Sequence, residues 1–387
     1  MGLVEKYEYV LKDSSDKIYN FFINDREQLE CIYSNNSNQW IDKTLVTLKA
    51  CQHFAVAIDT RDRIHAFVIH ANGDINYYWQ EDKQWKSQKI ASINRKNENV
   101  YYPDIVILKN QVHLFYLHQG SKAINSCTIQ HVTKLLDKWE HISVETISYS
   151  KYINPFKVLV YDNVLHLLFA SHNSICEECY LTKFNYLNNS WEFSIRLTEA
   201  TERKIYLDGL IDKQGNLHIT WSMLEENGLT IKYQQHSLKE LYQIEPQQRE
   251  NSILGKTVDE IGQLLMEEEL QINTVLNTTE AVLPQKISQQ HNCSFPYIIV
   301  FNKVLWLVWF QFNSLVSSYS TDNGLTWSIP SLIAKTKLMS FKRYRYATNS
   351  KLDNELIQCD YLFGTLYPNI QFIGFGGDIN DDVSKNS

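Results

Sequence analysis

Asp62-Arg-Ile-His65-Ala-Phe-Val-Ile69 is a polar turn that runs into an alternating apolar strand. The chain repeats it. Asn110-Gln-Val-His113-Leu-Phe-Tyr116, Asn163-Val-Leu-His166-Leu-Leu-Phe169 and Gly215-Asn-Leu-His218-Ile-Thr-Trp221 are further copies. Asp16-Lys-Ile-Tyr19-Asn-Phe-Phe22 and Asn302-Lys-Val-Leu305-Trp306 keep the turn and strand without the histidine. From Tyr19 to His218 the copies lie 46, 48, 53 and 52 residues apart. The next, at Trp306, follows 88 residues later, one period plus an insert of about 36. A Trp after a polar turn keeps the same beat at Trp40, Trp85, Trp139, Trp191 and Trp327. A third marker precedes the inner strand: Tyr102-Pro103-Asp104, Asn154-Pro155-Phe156, Tyr206-Leu207-Asp208 and Phe295-Pro296-Tyr297.

Each period holds four short strands; in the second unit they read as 54–58, 64–69, 75–79 and 87–90, with a turn at Ala71-Asn-Gly73-Asp74. Four-stranded units at this period are the mark of a β-propeller. We expect an all-β propeller of six to seven blades, seven favoured, with units near 4–48, 51–92, 101–147, 152–197, 203–242, 295–335 and 338–376. Six result if the last unit and the N-terminal stretch complete each other. Blades one to five fill 1–242, an α-helical insertion in the fifth blade fills 243–291, blades six and seven fill 292–377, and 378–387 is a disordered polar tail. The repeated histidines are expected on second strands, bonding between blades. The repeated Trp should fill the gaps between neighbouring blades.

Composition sets the outer bounds. The chain has 387 residues, 37 Lys+Arg against 44 Asp+Glu and a net charge of −7. That balance offers no footprint for nucleic acid or an anionic membrane. No apolar run approaches the ~18–20 residues of a membrane helix. Met1–Val10 lacks the basic and apolar regions of a secretory signal, so a cytoplasmic location is expected. Seven scattered Cys read as reduced thiols. Cys176-Glu-Glu-Cys179 has no second Cys-x-x-Cys, so neither a metal nor another cofactor is expected.

Ser320-Thr-Asp322-Asn-Gly324-Leu-Thr326-Trp327 follows one strand and opens another. Asp322 can accept turn amides, Gly324 can take positive φ, Thr326 can return a side-chain bond and Trp327 can plug into the core. This stretch resembles the Asp box of the sialidase-like, or BNR-repeat, propellers, as a structural element. The resemblance implies a propeller over perhaps 320 residues. It also names what sialidase chemistry would need: three arginines on separate blades and an Arg-Ile-Pro element. No Arg-Ile-Pro occurs, and the nine Arg supply no such triad. The resemblance therefore implies a distant, non-catalytic member, and no catalytic residue is assigned.

The third marker gathers side chains on the face where inner strands begin: His53, Tyr101, Tyr102, Asp104, Asn154, Tyr206, Asp208, Tyr297, Arg343 and Arg345. Tyr beside Asp and Arg suits a sugar or peptide, by stacking and hydrogen bonds. Asp104 and Asp208 sit on non-adjacent blades, too far apart for a retaining carboxylate pair. In the insert, Val258, Ile261, Leu265, Ile272 and Val275 step by heptad spacing, which predicts a helix of ~39 Å for pairing with a protein partner or a second copy. The favoured function is a non-enzymatic interaction or scaffold propeller using that arm. The alternatives are a glycan-binding propeller and a diverged glycoside hydrolase or polysaccharide lyase.

Overall fold

The computed structural model describes residues 8–34, 40–121, 126–135, 138–148, 153–172, 176–199, 203–243, 283–333, 336, 340–365 and 372–373. Among them, α-helix is confined to Leu238–Gln243 and Lys351–Leu356. Everything else regular is strand, arranged in six sheets: a six-bladed propeller. Blade two is typical, an antiparallel meander of Cys51–Ile58, Ile64–His70, Asp74–Glu81 and Gln84–Ser92. Blades three to six begin on the inner strands Asn99–Leu108, Phe156–Tyr161, Lys204–Ile211 and Cys293–Phe301.

The favoured count of seven is corrected to six. Among the described residues, the seventh repeat supplies Phe341–Thr348, Tyr361–Thr365 and Phe372–Ile373 to one sheet, and its strand Ile357–Gln358 joins blade six. Phe341–Thr348 pairs parallel with Glu8–Lys12, Tyr9 opposite Arg345, so both chain ends merge into one seven-stranded sheet, blade one.

Burial explains why these segments are strands. Ile64–His70 is buried at every position because blades cover both faces of a second strand. The outer strand Gln84–Ser92 has no buried position and is largely polar. The apolar core sits between blades: one cluster joins Phe169 to Phe115, another joins Trp309 to Tyr233, a third joins Trp306 to Phe363.

The repeated Trp do bridge blades. Trp85 meets Phe21 edge-on at 6.4 Å, Trp139 meets Tyr77 at 5.4 Å and Trp327 meets Tyr233 at 4.8 Å, each on the preceding blade. The repeated histidines behave differently from expectation. They sit on second strands, but their hydrogen bonds stay within the blade. His65 Nδ1 lies 2.6 Å from the Tyr77 hydroxyl, and Nε2 lies 3.3 Å from Asp59 Oδ2. His218 copies this with Tyr233 at 2.7 Å and Asp212 at 3.2 Å. Tyr19 donates to Asp13 in the same position. These three aspartates also accept the amides two and four residues on, which closes the turn. The signal was an Asp six residues before Tyr19, His65 and His218, and it was missed.

The Ser320–Trp327 turn folds as its residue types require. Asp322 accepts from Ser320 Oγ at 2.7 Å and from the Thr326 amide at 2.9 Å, and Ser320 Oγ accepts from the Gly324 amide at 2.7 Å. The Thr326 hydroxyl and amide and the Ser320 hydroxyl hold the Asp322 carboxyl at about 2. Gly324 has φ +92°, and a Cβ there would lie 1.9 Å from the Tyr233 hydroxyl. Asp322→Ala should lower the thermal midpoint by several degrees and leave ligand binding per folded molecule unchanged. A variant that melts normally but loses binding would overturn the structural role.

The predicted helix at 258–283, with Val258, Ile261, Leu265, Ile272 and Val275, lies outside the described residues. What is described at its borders is the short helix Leu238–Gln243 and the strand Gln285–Lys286, which rejoins blade five. Among the described residues of that blade, helix is confined to Leu238–Gln243. No described helix is long and apolar enough to cross a membrane. All seven cysteines are free thiols, six of them buried.

Candidate functional site

The third marker lies inside the inner strands, as a bulge. In blades three, five and six the ladder skips two residues: Tyr102-Pro103, Tyr206-Leu207 and Phe295-Pro296. Each bulge opens on a left-handed bulky residue: Tyr102 at φ 52°, Tyr206 at 57° and Phe295 at 51°. Bulky residues rarely adopt this conformation, and bulges of this kind re-aim the following side chain. Here they turn Asp104 and Asp208 into the central channel. The copy in blade four is different: Asn154 caps its strand by accepting the Phe156 amide at 3.1 Å.

Inside the channel the acids meet cations from other blades. Arg345 Nη2 lies 3.3 Å from Asp104 Oδ2, a link that spans blade two. Lys157 Nζ lies 2.7 Å from Asp208 Oδ1 and 2.6 Å from Asp360 Oδ2. The Ile298 amide donates to Asp208 Oδ2 at 2.9 Å, so one carboxylate ties blades four, five and six. Tyr361 lies among three cations: Arg343 at 4.5 Å, Arg345 at 4.7 Å and Lys157 at 5.5 Å from its ring centre. Burial raises Asp104 above the usual carboxylate range, against the pull of Arg345. Burial alone would depress Lys157, but Asp208 and Asp360 outweigh it and hold the ammonium above its ordinary value. Burial likewise raises Tyr361, although Arg345, Arg343 and Lys157 draw it down.

Around this core is an aromatic rim. Tyr206 and Phe295 stand 4.1 Å apart across blades five and six, with Arg343 5.4 Å from Phe295. His53 meets Tyr101 edge-on at 6.2 Å, and Tyr101 contacts Tyr102 at 6.4 Å. The structure thus brings together Asp104, Asp208, Arg343 and Arg345 in one group, and His53, Tyr101 and Tyr102 in another. Tyr297 is buried against Phe363, and Asn154 serves its own turn. Lys157, Asp360 and Tyr361 were missed. None belongs to a repeated motif; the one available signal was Lys157 at an inward, otherwise apolar position of Phe156–Tyr161.

No protein-family model matches the chain, and no curated protein matches it in sequence. Solved structures do. A polysaccharide lyase, the PL25 ulvan lyase bound to -[GlcA(1-4)Rha3S]-, is 9% identical, with a TM-score of 0.58 over 96% of this chain and 94% of the lyase. The BP39L lectin from Burkholderia pseudomallei is 9% identical, with a TM-score of 0.56 over 95% of this chain and 98% of the lectin. The chain shares their fold. At that identity the likeness is one of architecture, and membership of the sialidase-like family is not established by it. One expectation is corrected. The missing arginine triad was read as making this chain a non-enzyme, but a polysaccharide lyase stands on the same fold. The missing triad argues against sialidase-type chemistry only.

Proposed function

We propose that this propeller binds a glycan on the face where its inner strands begin. The observation that carries the reading is the rim of Tyr206, Phe295 and Arg343, which sets two aromatic rings and a guanidinium within one sugar's breadth. Sugars present apolar C–H faces and hydroxyl edges, which rings and charged donors engage together. The neighbours with lectin and polysaccharide-lyase activities support a carbohydrate ligand over the protein-partner scaffold favoured from sequence. The scaffold reading rests on an arm outside the described residues.

An array of neutral, uronic-acid and sulfated oligosaccharides tests this. Tyr206→Ala and Arg343→Ala should each weaken the best ligand about tenfold or more, a loss of ~1.4 kcal/mol. Both positions are partly exposed, so melting should barely change. Following the chain length of a bound polymer then separates a lectin from an enzyme. No binding across the array, or binding indifferent to both variants, would refute the proposal.

A further inference from the structure

The aromatic pair at the rim is built on two strained bulges, and one side chain reaches both. Tyr206 and Phe295 sit in the left-handed region, at φ 57° and 51°. Bulky residues stay there only where the surrounding structure over-determines them. Their rings come from different blades, yet they stand 4.1 Å apart at an interplanar angle of 41°. The offset of blade six against blade five must therefore be fixed close to the rim.

Asp208 makes that tie. It lies two residues after Tyr206, and its Oδ2 accepts the amide of Ile298, three residues after Phe295, at 2.9 Å. Those separations amount to about 7 and 10 Å of extended chain. The other oxygen, Oδ1, is held by Lys157 of blade four at 2.7 Å, so the carboxylate is fixed at both ends. Asp208 is buried, which keeps water from competing for the Ile298 amide. Leu210 and Ile298 also pack in one apolar cluster between these blades. Apolar packing is non-directional and tolerates sliding, whereas a hydrogen bond sets direction and distance. Blade three shows the contrast. Asp104 accepts the amide of its own neighbour, Ile105, at 2.9 Å, and the bulge ring Tyr102 contacts Tyr101 of the same strand. In blade five the acid crosses to the next blade, and so does the ring contact.

We infer that Asp208 is a positioning residue of the glycan site: by clamping the Ile298 amide it sets the spacing of the Tyr206–Phe295 pair. The consequence for binding rests on the glycan reading; the geometry does not.

A 3-fluorotyrosine placed at position 206 reports the ring current of Phe295, and Phe295→Leu gives the signal of an unpaired ring. Two double variants, neither of which strands a charge on Asp208, separate the roles. Lys157→Met with Asp208→Asn keeps an acceptor for the Ile298 amide, and Lys157→Met with Asp208→Leu removes it. The first should keep the parent fluorine shift and bind the best oligosaccharide within about twofold of the parent. The second, measured well below its thermal midpoint, should move the fluorine signal toward the Phe295→Leu position and weaken the ligand about tenfold. Ile298→Pro deletes the donor instead and should give the same two changes, which covers a leucine variant that does not fold. A folded leucine or proline variant with the parent shift and affinity would overturn the inference, as would loss of both in the asparagine variant. A fluorine signal that moves as expected in a protein that binds no oligosaccharide would refute the glycan reading and leave the clamp standing.

Discussion

Lowering the pH from 7 toward 4 should unfold the propeller cooperatively. Four buried histidines set this result. Burial pushes His113, His166 and His236 down to about 4, and burial with the neighbouring His113 pushes His131 well below its ordinary value. The hydrogen bonds explain why these rings must stay neutral. Trp191 Nε1 donates to His131 Nδ1 at 3.3 Å, so His131 carries its proton on Nε2 and gives it to His113 Nδ1 at 3.0 Å. A proton on His131 Nδ1 would expel the Trp191 donor and the contact between blades three and four. The folded pKa values are depressed, so the unfolded chain binds more protons. Their stabilisation is complete above about pH 6.5 and is lost as pH falls toward 4. Four such groups change stability by on the order of 5 kcal/mol per pH unit within that window. Asp104 and Glu178, raised by burial, oppose part of this at the acid end. The depressed carboxylates of Asp59 and Asp212 act only below it. Circular dichroism melts at half-unit intervals would show the midpoint falling steeply below pH 6. A midpoint constant to pH 4.5 would refute the account.

Lys157→Met should be among the most damaging substitutions in the chain. The Lys157 and Asp208 side chains are each 5% exposed, and they pair at 2.7 Å. Removing the cation strands the buried Asp208 carboxylate and frees Asp360 as well. Breaking a buried pair from one side costs about 3–5 kcal/mol. Adding Asp208→Asn should recover part of the loss, since the amide oxygen can still accept from Ile298 without a charge. Urea melts of the single and double variants read this directly. A single variant as stable as the parent would mean that the pair carries no net stabilisation, and a double variant weaker than the single would remove the stranded charge as the cause.

The propeller was legible because its signals are local and recur. A turn, a strand and a Trp at one beat can be read without knowing what touches what, and Trp85, Trp139 and Trp327 fulfil it. The Tyr-x-Asp marker was equally visible, although a bulge with a left-handed Tyr102 cannot be told from a loop by residue type. The blade count failed for a different reason. Parallel pairing of Glu8–Lys12 with Phe341–Thr348 leaves no turn and no motif between the partners. One channel cation failed likewise. Lys157 occurs once, in a strand that otherwise reads as apolar, and its partners Asp208 and Asp360 are 51 and 203 positions away. Asp104 and the Arg345 that neutralises it were therefore both found, while the Lys157 that neutralises Asp208 was not.

Blade one also fixes the order in which the molecule can finish folding. Tyr9 and Arg345 are register partners 336 positions apart, and no other contact can substitute for that seam. Bringing such distant segments together costs about 5 kcal/mol in chain entropy beyond a constant. A ribosome delivers Glu8–Lys12 long before its partner strand exists. During that interval the strand's outer backbone groups are a bare edge, open to any complementary strand nearby. Two nascent chains on one message each hold an unmated first strand and later release the strand that fits it. Exchange between them would give a closed dimer with every native hydrogen bond intact, differing from the monomer only in whose strand completes whose ring.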